Sequence, residues 1–313
     1  MIIFDDASRF SQFQQNCVAT IGKFDGVHLG HQLILDQLKQ KAEQHNLPAV
    51  VILLEPHPEE FFAGSDGECP ARLTVLKEKL ELLESFDVDF VFKLNFDKTT
   101  SSLSAEDYIN DILVDGLGIV SLIVGNDFRF GHKRGGDFKL LQEQGAVHGF
   151  EVLETAAYER NGQRISSTFI REKLAEADFS LVEQLLGRPY SMKGEVQKGQ
   201  QLGTDLGYPT CNINPHRRSI PLHGVYACEV RLGDRFHPAA VNIGYRPTIT
   251  ENGEALLEAH ILDFDEMLYG KTIEVIFKQK LRDEEKFDGL EALKEQMRID
   301  VEQTREVLSV AAG

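Results

Sequence analysis

Apolar residues recur with two different rhythms along the chain, and the change falls near position 188. In the first half, short continuous apolar runs alternate with segments of helical spacing. Val18–Ile21 is a strand candidate, and Ile34, Leu35, Leu38 and Ala42 mark a helix over 31–45. Pro48 ends that helix. Ala49–Leu54 is an unbroken apolar run, as a parallel strand buried on both faces requires. Leu73, Leu76, Leu80 and Leu83 mark another helix, and Val88–Leu94 another strand. Ser104 and Asp107 form a capping pattern before a helix carrying Tyr108, Ile109 and Ile112. Ile119–Val124 stops at Gly125, and Phe150–Leu153 is a further strand. This rhythm predicts an α/β domain, an open parallel sheet covered by helices. Two helices follow, one capped by Ser167 and running to about Ala177, the other capped by Ser180 with Glu183 and ending at Gly187. Arg188-Pro189 then punctuates the chain, which sets the expected domains at 1–187 and 188–313.

Beyond Pro189 the runs shorten to Met192–Gln197, Val225–Leu232, Phe236–Ile243, Leu256–Leu262 and Thr272–Leu281. Turn residues separate them, including Gly233-Asp234 and Asn252-Gly253. Short strands with turns predict a small antiparallel barrel or sandwich. Phe287, Leu290, Leu293, Met297 and Val301 outline a C-terminal helix.

The length of 313 residues suits two domains. No apolar run approaches the roughly 18–20 residues that span a bilayer, and no basic stretch followed by a long apolar one marks a secretory leader. A cytoplasmic protein without membrane contact is expected, monomeric by default. The formal net charge of −17 argues against a dedicated nucleic-acid binder, which needs a basic face. Cys17, Cys69, Cys211 and Cys228 are far apart and form no C-x-x-C pair, so free thiols in a reducing compartment are expected.

Candidate chemistry clusters at strand ends. Gly22-Lys23-Phe24-Asp25-Gly26-Val27-His28-Leu29-Gly30-His31 follows the first strand and opens the first helix. Glycines allow close backbone approach, and a helix N-terminus offers free N–H groups to a phosphate. His28 and His31 add donors that can stabilise charge on phosphorus during nucleotidyl transfer. The dinucleotide fingerprint G-x-G-x-x-G is absent there. Three more segments lie at strand ends or helix starts. They are Glu55-Pro56-His57-Pro58, then Gly125-Asn126-Asp127-Phe128-Arg129-Phe130-Gly131, then Arg164-Ile165-Ser166-Ser167-Thr168-Phe169-Ile170-Arg171. A rigid strand exit, a loop anchored by two phenylalanines and simple N-capping are the respective structural alternatives.

Together, over about Val18 to Arg171, these motifs resemble the adenylyltransferase module of bacterial bifunctional riboflavin kinase/FAD synthetases. The resemblance implies a Rossmann-like H-x-G-H nucleotidyltransferase fold. It implies that His28 and His31 contact ATP phosphates, with Gly22, Phe24, Asp25 and Gly26 in the same loop. Asn126, Asp127 and Arg129 fall on the nucleotide/metal loop. Arg164, Ser167, Thr168 and Arg171 fall on a second phosphate- and adenine-side motif, and His57 on a histidine near the flavin phosphate. The implied reaction joins FMN to the α-phosphorus of ATP, releases pyrophosphate and needs Mg²⁺ but no covalent enzyme intermediate.

In the second half, Gly194 and Gly199 have P-loop spacing, but Gln200 and Gln201 replace the lysine and hydroxyl, so a P-loop is rejected. Gly199, Gly203 and Gly207 lead into Tyr208-Pro209-Thr210-Cys211-Asn212. On an extended strand Thr210 and Asn212 face one side, and two neutral oxygens can complete a hydrated Mg²⁺ shell. A glycine-rich hairpin is the structural alternative. Glu258 sits in an otherwise apolar strand and must be paired, exposed or functional. With the P-T-x-N core and the segment Asn242-Ile243-Gly244-Tyr245-Arg246-Pro247-Thr248, this half resembles the family's riboflavin kinase module, from about Gly194 through Arg282 and Phe287. The resemblance implies a β-barrel plus a helix, Thr210 and Asn212 on MgATP, Glu258 as general base on riboflavin, and Arg282 at ligand. Thr204 stands where the family usually carries arginine, and an arginine fork on phosphate has no equivalent in threonine. Two alternatives follow: an FAD synthetase with a weak kinase or flavin-binding regulatory barrel, or an H-x-G-H transferase for another phosphorylated acceptor. A flavin store without turnover would need no ATP machinery.

Overall fold

The computed structural model describes residues 1–5, 13, 15–64, 67–160, 162–198, 203, 206–245 and 255–310. Gly199, Thr204, Arg246-Pro247-Thr248 and Asn252-Gly253 lie outside the described residues. The chain forms two compact units, one of Met1–Pro70 with Leu76–Ser166, the other of Ala71–Val75 with Ser167–Gly313.

The first unit is built on six parallel strands: β1 (Ile2–Phe4), β2 (Cys17–Gly22), β3 (Ala49–Glu55), β4 (Phe90–Asn95), β5 (Ile119–Gly125) and β6 (Glu151–Thr155). Their spatial order is β1-β4-β3-β2-β5-β6. Strand order reverses between β2 and β5, and open α/β sheets bind ligands at the carboxyl ends beside such a reversal. Helix α1 (Leu29–His45) covers one face, where Leu35, Leu38 and Ala42 pack with Val18, Val51, Leu53 and Ile123. Burying a side chain of this size contributes about 1.5–3 kcal/mol. Ala19, Ile21, Val50, Ile52 and Leu122 face the other core with Ile109, Ile112 and Leu113. Helices α2 (Pro58–Ala63), α3 (Leu76–Glu84), α4 (Lys98–Ser102), α5 (Ala105–Asp107) and α6 (Phe138–His148) complete this unit with a hairpin, β7 (Glu159–Arg160) and β8 (Gln163–Arg164). Ser104 caps α5 by accepting the Asp107 N–H at 3.0 Å, as its sequence position predicts. The helix then widens into a π-helix over Tyr108–Val114, closed by Asp115 N–H on the Asn110 carbonyl. Leu73 lies ahead of α3 rather than in it, and belongs to the second unit.

The second unit begins with α7 (Ser167–Ala175) and α8 (Phe179–Leu186). Asp178, not Ser180, caps α8: its carboxylate accepts the Leu181 N–H at 3.0 Å, and Ser180 falls inside the first turn. Gly187 ends α8 in the left-handed region. Strands β9 (Ser191–Gln197), β10 (Cys211–Asn214), β11 (Gly224–Leu232), β12 (Arg235–Tyr245), β13 (Ala255–Ile261) and β14 (Thr272–Arg282) close into an antiparallel barrel in the order β10-β13-β12-β11-β14-β9. Closure leaves no open sheet edge. Gly233-Asp234 turns the β11–β12 hairpin, and Ile213, Val230, Val241, Leu257 and Val275 are fully buried. Helix α9 (Leu290–Val310) packs on β11, β12 and β14. Its apolar stripe departs from the sequence pattern. Phe287 precedes the helix and Leu290 is exposed, while the most buried positions are polar, Asp300 and Thr304.

Candidate active sites

The loop from β2 to α1 is tightly wound. Phe24 and Val27 take positive φ angles of 48° and 40° beside Gly26 at 83°. Such angles are strained for residues with a Cβ, above all for a β-branched one, and strain of this kind concentrates at functional sites. The loop delivers His28 to the N-cap of α1, where its Nδ1 accepts the His31 N–H at 3.3 Å. A neutral His28 therefore carries its proton on Nε2, a donor for an anion. The His28 and His31 rings stack at 3.7 Å and 15°, and Phe24 lies 5.0 Å from His31. Gly30 makes room for this stack, because a Cβ there would lie 3.2 Å from the His28 ring. Burial, then the charges of His28, Lys79 and Lys23, hold the His31 pKa well below the usual 6.5. Its Nδ1 is buried without a hydrogen-bond partner. Gly22 packs against the Phe24 ring, and Asp25 is buried.

His57 caps α2 and is buried, its backbone N–H on Glu60 Oε2 at 3.1 Å. The fully buried Lys79 of α3 reaches it, with Nζ 3.1 Å from His57 Nε2 and 3.8 Å from Glu55 Oε2. Sequence reasoning missed Lys79. After β5, Asp127 and Arg164, from two successive motifs, form an ion pair at 2.7 Å. Asn126 and Arg129 are exposed, and Arg129 NH1 donates to the Phe128 carbonyl. Phe128 and Phe130 stack at 5.6 Å, so the loop is aromatic-anchored as well as charged. In the second unit Ser167 and Thr168 open α7, and Arg171 Nε donates to the Ala71 carbonyl at 2.5 Å.

The barrel assembles a polar row across three strands. Asn212 of β10 is paired with Glu258 of β13, and Glu258 in turn with Asn242 of β12. Paired residues share a face. Their neighbours Ile213, Leu257, Ala259, Val241 and Ile243 fill the interior, so the row lies on the barrel's outer face, where Asn212 is buried, Asn242 half-buried and Glu258 exposed. Asn242 Nδ2 donates to Glu284 at 3.2 Å, while its Oδ1 is buried and unpartnered. Asn242 was not among the expected site residues, and cross-strand register cannot be read from one strand alone. Thr210 precedes β10. His260 Nδ1 donates to the Pro209 carbonyl at 2.8 Å and so holds this approach to Thr210. Gly203 admits no side chain, because a Cβ would lie 2.3 Å from the Tyr208 carbonyl oxygen and 3.2 Å from Thr210 Oγ1. Gly207 has φ +86°. Arg282 is engaged inside the fold: Nε and NH2 donate to the two Asp300 oxygens at 2.9 and 2.8 Å, and NH1 to the Asp283 carbonyl. Among the described residues no group of three or more His, Cys, Asp or Glu forms a metal cage.

The family model of FAD synthetase matches residues 10–169 and that of riboflavin kinase residues 186–308. The chain is 45% identical to the bifunctional riboflavin kinase/FMN adenylyltransferase of Pseudomonas fluorescens over 298 residues, covering 95% of each protein. It is 44% identical to that of Escherichia coli K12, covering 94% of this chain and 93% of the relative. A solved structure described as a macrolide-efflux protein from Streptococcus pneumoniae superposes with a TM-score of 0.80 at 26% identity, covering 97% of this chain and 99% of that one. Among the described residues, no helix of the present chain is long and apolar enough to cross a membrane.

Proposed function

The chain belongs to the bifunctional riboflavin kinase/FMN adenylyltransferase family, and from that premise we propose which residues carry each half-reaction. The enzyme phosphorylates riboflavin to FMN and adenylylates FMN to FAD. Adenylylation is assigned to residues 1–187 and phosphorylation to 188–313.

For adenylylation, the phosphate of FMN attacks the α-phosphorus of ATP and pyrophosphate leaves. The stacked His28–His31 pair at the α1 N-terminus is the observation that carries this reading. The Nε2–H of His28 and the first-turn N–H groups are donors for phosphate oxygens, and fixed donors stabilise charge that builds in the transition state. A His31 held neutral keeps a positive charge out of the stack. Asn126, Asp127, Arg129, Arg164, Ser167, Thr168 and Arg171 are assigned to the nucleotide by resemblance, and His57 to the flavin phosphate. The Asp127–Arg164 pair supports a common role for those two segments.

For phosphorylation, Glu258 takes the proton of the riboflavin 5′-hydroxyl, whose oxygen attacks the γ-phosphorus of ATP while ADP leaves. The Asn212–Glu258–Asn242 row supports it, because a carboxylate between two amides has neighbours able to orient both it and a ligand. Thr210 and Asn212 are assigned to Mg²⁺. Neutral oxygens without an acidic cage suit an ion that keeps waters and binds mainly through substrate phosphates. When bound, Mg²⁺ offsets the charge of the ATP phosphates. Gly199, Gly203 and Gly207 are assigned to the loop over those phosphates. The internal bonds of Arg282 favour a role in holding α9 on the barrel over direct ligand contact. Four free cysteines support a cytoplasmic setting.

Incubation with ATP and Mg²⁺ and either riboflavin or FMN, followed by chromatography of the flavins, tests the assignment. FAD from both flavins is expected. FAD from FMN alone would leave the barrel a weak kinase and make Thr204 the first residue to change.

A further inference from the structure

We propose that Lys23 is a specificity-determining residue of the adenylylation site: its ammonium exchanges the Glu59 carboxylate for the phosphate of the incoming FMN. The inference rests on the assignments of His28 and His31 to ATP and of His57 to the flavin phosphate. Lys23 follows β2 directly and is the one lysine or arginine between Gly22 and His31. Its Nζ donates to Glu59 Oε1 at 2.5 Å, in the first turn of α2 and two residues beyond His57. The bridge therefore joins the two segments assigned to the two reacting phosphates. The same ammonium lies close enough to the histidine stack to oppose protonation of His31.

The site has to admit two anions, FMN and ATP, into a chain of formal net charge −17. Such a background repels them, so positive charge must be supplied locally. Helix N–H groups and a neutral His31 add no net charge, and the loop also carries the acidic Asp25. The other lysine acting on His31, Lys79, is fully buried. Lys23 is 42% exposed and can turn toward a ligand that arrives from solvent. Glu59 is equally exposed, and an exposed ion pair of this kind contributes little, because water solvates and screens both charges. Exchanging partners is therefore easy. A phosphate monoester carries close to two negative charges at neutral pH, a carboxylate only one, so the ammonium favours the phosphate. Lysine binds phosphate as a flexible point charge and not as a fixed fork, which suits a side chain that changes partners. Riboflavin has no phosphate to displace Glu59, so the exchange selects the phosphorylated flavin.

The test measures steady-state adenylylation by the full-length enzyme with FMN, ATP and Mg²⁺. Lys23→Met is expected to raise KM for FMN about tenfold, the scale of one charge-assisted hydrogen bond. KM for ATP and kcat are expected to stay within about threefold, as loss of uniform substrate binding requires. Riboflavin phosphorylation by the same molecules is expected to be unchanged, which controls for folding. Lys23→Arg keeps the charge and is expected to keep most of the affinity for FMN. Glu59→Gln removes the competing carboxylate and is expected to lower KM for FMN several-fold, but to have no such effect in a Lys23→Met background. A bridge with only a structural role predicts instead that Glu59→Gln and Lys23→Met are harmful alike. A raised KM for FMN in Glu59→Gln, an unchanged one in Lys23→Met, or a rise confined to KM for ATP would overturn the proposal. If His57→Ala leaves KM for FMN unchanged, the flavin-phosphate assignment itself fails. A raised KM in His57→Ala beside an unchanged one in Lys23→Met removes only the role of Lys23.

Discussion

At the scale of the residue, the proposed adenylylation site turns on a histidine held neutral. His31 is the case in point, because the burial of its Nδ1 and three cationic or titratable neighbours all oppose protonation. Its folded pKa lies below the ordinary value, so below about pH 6.5 the unfolded chain binds a proton that the folded one refuses. Stability from this group is therefore complete above that pH and is lost as pH falls toward the folded pKa. Urea unfolding at pH 7.5 and 5.5 is expected to show a smaller loss on acidification in His31→Gln than in wild type. Equal losses would mean that His31 is not held neutral. Gly30→Ala is expected to slow FMN adenylylation by about tenfold while sparing riboflavin phosphorylation, because the new methyl would press on the His28 ring and a small misplacement of a catalytic group is costly. Steady-state rates for the two flavins check this directly.

At the scale of the element, the sequence was most legible where one periodicity dominates. Leu35, Leu38 and Ala42 identified α1, and the Ala49–Leu54 run identified β3. Legibility failed where several local solutions compete or where the decisive partner is distant. Asp178 and Ser180 are both good capping residues, and only the structure shows that Asp178 wins. Ile2–Phe4 is too short to signal a strand by itself, yet pairs with β4. In α9 the apolar stripe was misleading, since Asp300 and Thr304 are its most buried residues. Asp300 is buried because Arg282 meets it with a two-pronged pair. Removing one partner of such a pair leaves an uncompensated charge. Asp300→Ala is therefore expected to destabilise the barrel by about 3 kcal/mol, read as a lower urea midpoint of the kinase unit. His260 has a gentler role: its hydrogen bond to Pro209 is worth about 1 kcal/mol. His260→Ala is expected to raise KM for ATP in riboflavin phosphorylation several-fold with little change in FMN adenylylation.

At the scale of the whole molecule, the change of rhythm near position 188 falls between the parallel strands β1–β6 and the barrel strands β9–β14. Motifs with strong local chemistry, such as His28 to His31 and Thr210 to Asn212, could be found in the sequence because glycines, histidines and hydroxyls lie close together there. Lys79, Asn242 and His260 could not, because each acquires meaning only from a partner in another element: His57, Glu258 and Pro209 respectively. The central claim is that two sites, carried by separate sets of residues in one chain, perform consecutive steps. Flavin products from Glu258→Gln and His28→Ala, each supplied with riboflavin or with FMN, test it most directly. Glu258→Gln is expected to form FAD from FMN but almost none from riboflavin. His28→Ala is expected to convert riboflavin to FMN and stop there. Loss of both steps in either variant, or FAD formation from riboflavin at the wild-type rate in Glu258→Gln, would contradict the assignment.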